Sequence, residues 1–333
     1  MDTMRHFMSY IDDAFLEDFF KQKPTDIESA GDELDIWRNW FLFVQHKTDI
    51  DLTIKSTIED LAYDVNSSLI KRLIDDYYQG KTHIAINTNK LDNSTARDLV
   101  LNSDKPTFIF RNELLNNEIT EEKTGICCIN GASFFDKWAH YHKSKAYSIS
   151  KTITQNQLEK WGDLFAHYRY PSNAFVIADN YIFSFKPNIR NNLFRILSEL
   201  LNGTKRINSV DLIIITDEFY KENEIHVNLD KIYNQVERYL RDWGFLNVNL
   251  CIIKAKYHDR LILSNYFALN SGNSFNYFKY DDSIQIQNTR LSLTPHTHDY
   301  SYIDTYKSEL LDIIEQCQDY KGTKRNRLLK MLV

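Results

Sequence analysis

Residues 257–280 read YHDRLILSNYFALNSGNSFNYFKY. Taken as a strand, Tyr257 to Ser264 places His258 and Arg260 on one face with Ile262 and Ser264, and Asp259, Leu261, Leu263 and Asn265 on the other, because side chains alternate with a period of two. An imidazole beside a guanidinium is the beginning of a phosphate site. Arginine grips two phosphate oxygens with its planar fork, and histidine attacks phosphorus or moves a proton.

The chain upstream of this stretch has a regular pattern. A strand pair is expected at NAFVIADNYIFSF (173–185) before a helix at Asn191 to Asn202, and a strand at VDLIIIT (210–216) before a helix at Leu229 to Trp243. The strand VNLCIIKA (248–255) then runs into the quoted stretch. Strands alternating with helices of this length predict a mixed or parallel sheet with helices packed on it. The unbroken apolar run LIII calls for a sheet covered on both faces. Asp179 and Asp217 end strands and read as turn formers within reach of a site. A final helix is expected at Tyr302 to Cys317. The tail KGTKRNRLLKMLV carries Lys321, Lys324, Arg325, Arg327 and Lys330, either as a solvated helix end or as a phosphate-binding tail.

The first part of the chain is richer in helical spacing. Phe7, Ile11, Phe15, Leu16 and Phe19 predict one amphipathic helix over residues 5–22, with Asp12, Asp13, Glu17 and Asp18 on its solvated face and Pro24 closing it. Further helices are expected at Glu28 to Gln45, Thr57 to Tyr78, Ser133 to His142 and Gln155 to Tyr168. Strands are expected at THIAI (82–86), PTFIF (106–110) and GICCIN (125–130). The breaker at YRYPSN sets the boundary near Pro171. The fold class is thus α/β, with a helix-rich N-terminal α/β part over 1–170 and a mixed sheet flanked by helices over 171–333.

Composition sets limits on the class. With 333 residues and 43% hydrophobic, the chain buries a sizeable core. The first fifty residues hold eleven acids against five bases, which accounts for the whole net charge of −6 and makes the N-terminus a candidate partner-binding segment. Four cysteines, with Cys127 and Cys128 adjacent, give neither a disulfide framework nor a metal knuckle; they read as core sulfurs in a reducing, cytoplasmic setting. No apolar run of about 18 residues appears, so a membrane span is not expected. His296 and His298, in TPHTHD, have ligand spacing on a strand but no third ligand nearby, and no metal or other cofactor is expected.

The quoted stretch resembles the phospholipase D superfamily. That family's motif runs His, any residue, Lys, four residues, Asp, six residues, Gly, Ser, two residues, Asn. Here His258, Arg260, Asn265, Gly272, Asn273 and Asn276 occupy those positions in turn, with every spacing kept. The resemblance covers roughly the last half of the chain, and it implies one half of that fold over 171–333. It also implies that His258 is the nucleophile, that Arg260 with Gly272, Asn273 and Asn276 binds phosphate, and that Asn265 supports the histidine. Three identities depart from the family. Arginine for lysine replaces a compact ammonium with a fork, asparagine for aspartate removes a carboxylate, and Asn273 replaces serine. Tyrosyl-DNA phosphodiesterases are similar in carrying asparagine at the aspartate position. The HDR tripeptide also resembles the non-catalytic phospholipase D-like domain at the C-terminus of some MIT proteins.

A second motif copy is missing, since His167-Tyr168-Arg169 is followed by Pro171 and has no Asn or Asp at the required place. Besides a purely structural scaffold, in which Arg260 pairs with Asp259 or another nearby acid and His258 is hydrogen-bonded at a crowded sheet end, two functional readings follow. One is a degenerate protein that recognises phosphate or nucleic acid inside an intracellular assembly, bacterial antiviral defence being a setting where the superfamily recurs. The other is a homodimeric, metal-independent phosphodiesterase or nuclease that brings together His258 of two chains.

Overall fold

The computed structural model describes residues 5–21, 31–54, 74–87, 105–112, 121, 126–151, 157–165, 169–202, 209–285, 288–299 and 301–332. Contacts divide the chain into two compact units, Met1–His142 and Lys143–Val333.

The first unit holds β1 (Phe7–Asp12), α1 (Asp13–Lys21), α2 (Gly31–His46), β2 (Thr48–Thr53), β3 (Ile84–Asn87), β4 (Thr107–Phe110), β5 (Cys127–Ile129) and α3 (Phe134–His142). All five strands are parallel, in the order β3-β2-β1-β4-β5. The single helix expected over residues 5–22 is instead a strand followed by a helix. The centre of a parallel sheet is covered on both faces, so β1 is buried almost without alternation, Ser9 and Asp12 included, and its Phe7 and Ile11 imitate a helical spacing. Asp12 is accordingly not on a solvated face. It is 4% exposed at the start of α1, where its Oδ1 accepts the Phe15 N–H at 2.7 Å as an N-cap. Strand β2 was not foreseen in TDIDLT.

Helices α1 and α2 meet through aromatic rings. Phe19 stacks on Trp37 at 4.1 Å and packs beside Trp40 at 4.4 Å, and Phe134 meets Phe19 edge-on. Trp37, Trp40, Phe41 and Val44 are buried, as the helical spacing predicts. Cys127 and Cys128 are fully buried free thiols, pushed well up by burial. Residues 74–78 are helical, while the rest of the helix expected at Thr57 to Tyr78 lies outside the described residues.

The second unit holds β6 (Lys145–Ile149), β7 (Ala174–Ala178), α4 (Phe194–Leu201), β8 (Ser209–Thr216), β9 (Lys221–Glu222), β10 (Ile225–His226), α5 (Leu229–Asp242), β11 (Asn247–Lys254), β12 (Arg260–Ser264), β13 (Phe267–Ser271), β14 (Thr289–Pro295), α6 (Ser301–Gln316), β15 (Tyr320–Gly322) and α7 (Arg327–Leu332). Eight of these strands form a mixed sheet in the order β15-β11-β8-β7-β12-β13-β14-β6. β7, β8 and β11 are parallel, and β12 returns antiparallel to β7. β6 pairs with β14, so sheet pairing begins well before Pro171.

The strand pair expected over 173–185 is one strand. The chain turns after Ala178, and Phe183 makes only an isolated bridge to Phe219. Of the helix expected at Gln155 to Tyr168, the described part shows a short 3-10 helix at Trp161–Phe165. His167 lies outside the described residues, while Arg169 pairs with Glu199 at 2.7 Å.

The basic tail is tied to the sheet. β15 adds an antiparallel edge to β11, and Gly322 turns with φ +102°, where a Cβ would lie 2.0 Å from the Leu250 carbonyl oxygen. Arg327 grips the buried Asp211 through its Nε at 3.0 Å, and Lys321 pairs with Asp230 at 2.8 Å. No helix among the described residues is long and apolar enough to cross a membrane.

Candidate functional site

The parallel strands β7, β8 and β11 end on the side of the sheet where β12 begins, and the polar residues that follow them gather there. Asn180, just past β7, holds Tyr257 by a reciprocal pair. The Tyr257 N–H donates to Asn180 Oδ1 at 2.9 Å, and Asn180 Nδ2 donates to the Tyr257 carbonyl at 2.8 Å. Thr216 Oγ1 and the Glu218 N–H both donate to the Asn180 carbonyl, at 3.1 and 2.9 Å, which fixes the end of β8 to the same residue.

This clamp explains a departure from the expected alternation. β12 starts at Arg260, and His258 and Asp259 form a bend before it, both exposed. His258 and Arg260 therefore do not share a strand face. The guanidinium folds back instead, with Nη1 donating to the His258 carbonyl at 2.6 Å and its carbon 5.9 Å from the centre of the Tyr181 ring. Arg260 Nε is buried without a hydrogen-bond partner. The imidazole has no partner among the described residues either, so nothing there orients it.

Asp179 is the residue that builds the opposite wall. It is fully buried, and its carboxylate accepts from the Tyr181 N–H at 3.0 Å, Ser274 Oγ at 2.8 Å and the Phe275 N–H at 2.7 Å. Burial pushes its carboxyl above the ordinary range, and these three bonds and the nearby Arg260 charge hold it back. The loop after β13 is thereby pinned beside β7. Asn276 adds a second tie through Nδ2 to the Tyr181 carbonyl at 2.6 Å and leaves its buried Oδ1 unmatched.

The motif residues thus separate into two groups. Ser271 is the register partner of Arg260, so Gly272 and Asn273 follow at the same end of the sheet, with Asn276 beyond them. Gly272 is exposed, and a Cβ there would lie 2.8 Å from Thr289 Oγ1; the Asn273 side chain is exposed and unbonded. Asn265 is elsewhere. It lies past the far end of β12, roughly 17 Å along the strand from Arg260, with Nδ2 donating to Asn173 Oδ1 at 3.4 Å. At that distance it cannot orient His258. The fixed spacing of the motif counts residues along a strand whose two ends face opposite edges of the sheet.

His296 also belongs to the far end. It is fully buried, its Nε2 donates to the Ser264 carbonyl at 2.8 Å, and burial pulls its pKa down to about 4. Among the described residues no three His, Cys, Asp or Glu side chains gather as a metal site.

Sequence reasoning passed over Asn180 and Tyr181 and took Asp179 as a turn former. The available signal was the abrupt change from AFVIA to DNY, where a fully buried strand gives way to polar groups that must find partners.

No protein-family model matches the chain, and no curated protein matches it in sequence. Among solved structures, the phosphatidylserine synthase of Haemophilus influenzae Rd KW20 is similar, with a TM-score of 0.31 and 13% identity over 55% of this chain. The match spans 40% of that enzyme's length.

Proposed function

We propose that residues 171–333 of the second unit form a degenerate phospholipase D-like half-fold that recognises a phosphate group without turning it over. The observation that carries this reading is Arg260 Nε, a buried donor without a partner at the end of the sheet where His258, Gly272 and Asn273 are exposed, in a guanidinium whose hydrogen bond goes to a backbone carbonyl. An unmatched buried donor costs about 1–3 kcal/mol, which a phosphate oxygen at Nε would recover. Asn273 and the backbone around Gly272 complete the cradle.

Non-turnover is favoured by the imidazole itself. A phosphohistidine nucleophile needs a ring held in place by a hydrogen-bond partner, and the exposed His258 has none among the described residues. In this reading the protein serves an intracellular assembly, with bacterial antiviral defence as the setting by analogy to the superfamily. Its acidic first fifty residues meet a protein partner, and the phosphate belongs to nucleic acid or a similar polyanion.

The test is incubation of the purified chain with DNA, RNA and a chromogenic phosphodiester in EDTA, next to His258→Ala. We expect no cleavage by either protein. Metal-free cleavage that disappears in His258→Ala would replace this reading with the homodimeric phosphodiesterase.

A further inference from the structure

A cleft of about 650 Å³ opens between the N-terminal side of α4, the outer face of α5 and the loop carrying Tyr280. It lies apart from the residues around Arg260, and its lining contains two arginines and no acid.

The backbone just before α4 is a π-helical turn, Ile189–Leu193. A π turn inserts a residue into the helical repeat, and it presents Arg190 to the cleft, which the largely buried Asn191 also lines, while Asn192 stays buried. Arg190 is exposed and has no hydrogen bond or ion pair with any described residue. Arg195, about one turn on, is held by the Asp282 carboxylate and donates to the Tyr280 carbonyl at 3.3 Å. That contact ties the Tyr280 loop to the helix.

The other lining groups are chosen for flat, polar matter. Phe194 and Tyr239 stack at 4.0 Å with 3° between their planes, and the Tyr239 hydroxyl donates to the Phe194 carbonyl at 2.7 Å, so they form a rigid aromatic wall. Tyr280 is 71% exposed, which offers a ring face. Gln235 lines the cleft with an amide that has no partner among the described residues. An uncommitted guanidinium, an uncommitted amide and an exposed ring are the three groups that phosphate, a base edge and a base face require.

We propose that this cleft binds a nucleobase together with its phosphate. Arg190 takes the phosphate, Tyr280 stacks on the base and Gln235 bonds to its edge. The ligand is either a free nucleotide or one unit of a single strand, which present the same chemistry. This site is independent of the phosphate reading at Arg260.

Fluorescence anisotropy of a labelled eight-nucleotide single strand, at low and at moderate salt, tests it on the full chain. Adenosine monophosphate and inorganic phosphate serve as competitors. We expect Arg190→Gln and Tyr280→Ala each to weaken binding about tenfold or more, with Arg190→Lys recovering part of the loss and affinity falling as salt rises. Arg260→Gln should leave a component of binding that Arg190→Gln removes. Competition by adenosine monophosphate identifies a nucleotide site, and its failure identifies a strand site. Both variants change exposed side chains, so unaltered thermal melts are expected and a binding loss reports on the cleft. Equal affinity in Arg190→Gln, Tyr280→Ala and the unsubstituted chain, absence of binding, or displacement by inorganic phosphate alone as effectively as by the nucleotide would overturn the proposal.

Discussion

The two ends of β12 carry residues of the same motif and have opposite character. Unmatched buried atoms occur at both, Arg260 Nε and Asn276 Oδ1 at one and Asn265 Oδ1 and Asn173 Nδ2 at the other, but the Arg260 end also carries an exposed histidine and an exposed asparagine. At the Asn265 end, Ser264, Asn265 and His296 are all buried. Ser264 Oγ accepts the N–H groups of Tyr266 and Phe267, both at 3.0 Å, and the Ser264 carbonyl accepts His296. One end presents exposed side chains, and the other is a corner of the core. On the proposed reading a motif written as a single string mixes a binding function with a folding function, and substitutions at its two ends should separate them.

The largest effect is expected at Asp179, which joins the open end to the scaffold. Asp179→Ala takes the acceptor from the buried Phe275 N–H and from the half-buried Tyr181 N–H and Ser274 hydroxyl, and it should cost about 3 kcal/mol in urea unfolding. Phosphate binding should fall with it, because the loop bearing Asn273 and Asn276 loses its anchor. A variant that unfolds at the same urea concentration as the parent would remove Asp179 from this role.

His296 gives a similar magnitude at the closed end, visible only in acid. Its unfolded form takes a proton near pH 6.5, while the folded form resists until about pH 4. Below pH 6.5 the unfolded state therefore binds more protons, and stability should fall as pH drops through that window, by up to roughly 3 kcal/mol. Denaturation curves at pH 7, 5 and 4 should show this slope in the parent chain and a shallower one in His296→Gln. The smallest effect is expected at Asn265. Its one side-chain bond is long, so Asn265→Ala should change stability by about 1 kcal/mol or less and leave phosphate affinity untouched. A loss of binding there would break the separation of the two ends.

Much of the sheet was legible because its strands are simple. The apolar runs in VDLIIIT and VNLCIIKA became β8 and β11, since a strand covered on both faces has no other composition to offer. The helix expected at Leu229 to Trp243 appears as Leu229–Asp242, its amphipathic spacing being long and regular. The same rule misled at residues 5–22, where a short buried strand followed by a helix adds up to a plausible helical stripe. The site was legible only as spacing. Where Arg260 points depends on Asn180 gripping Tyr257, and where the Gly272 loop lies depends on Asp179, contacts that bridge 77 and about 95 residues of sequence. Such pairings follow from strand order, which a local pattern does not specify.

Titration of the full chain with a phosphodiester and with inorganic phosphate, followed by phosphorus NMR in EDTA, bears most directly on the Arg260 end. Arg260→Gln should weaken binding at least tenfold, while Asn265→Ala binds as the parent does and no product signal appears in any sample. Equal binding by Arg260→Gln and the parent chain would contradict the account.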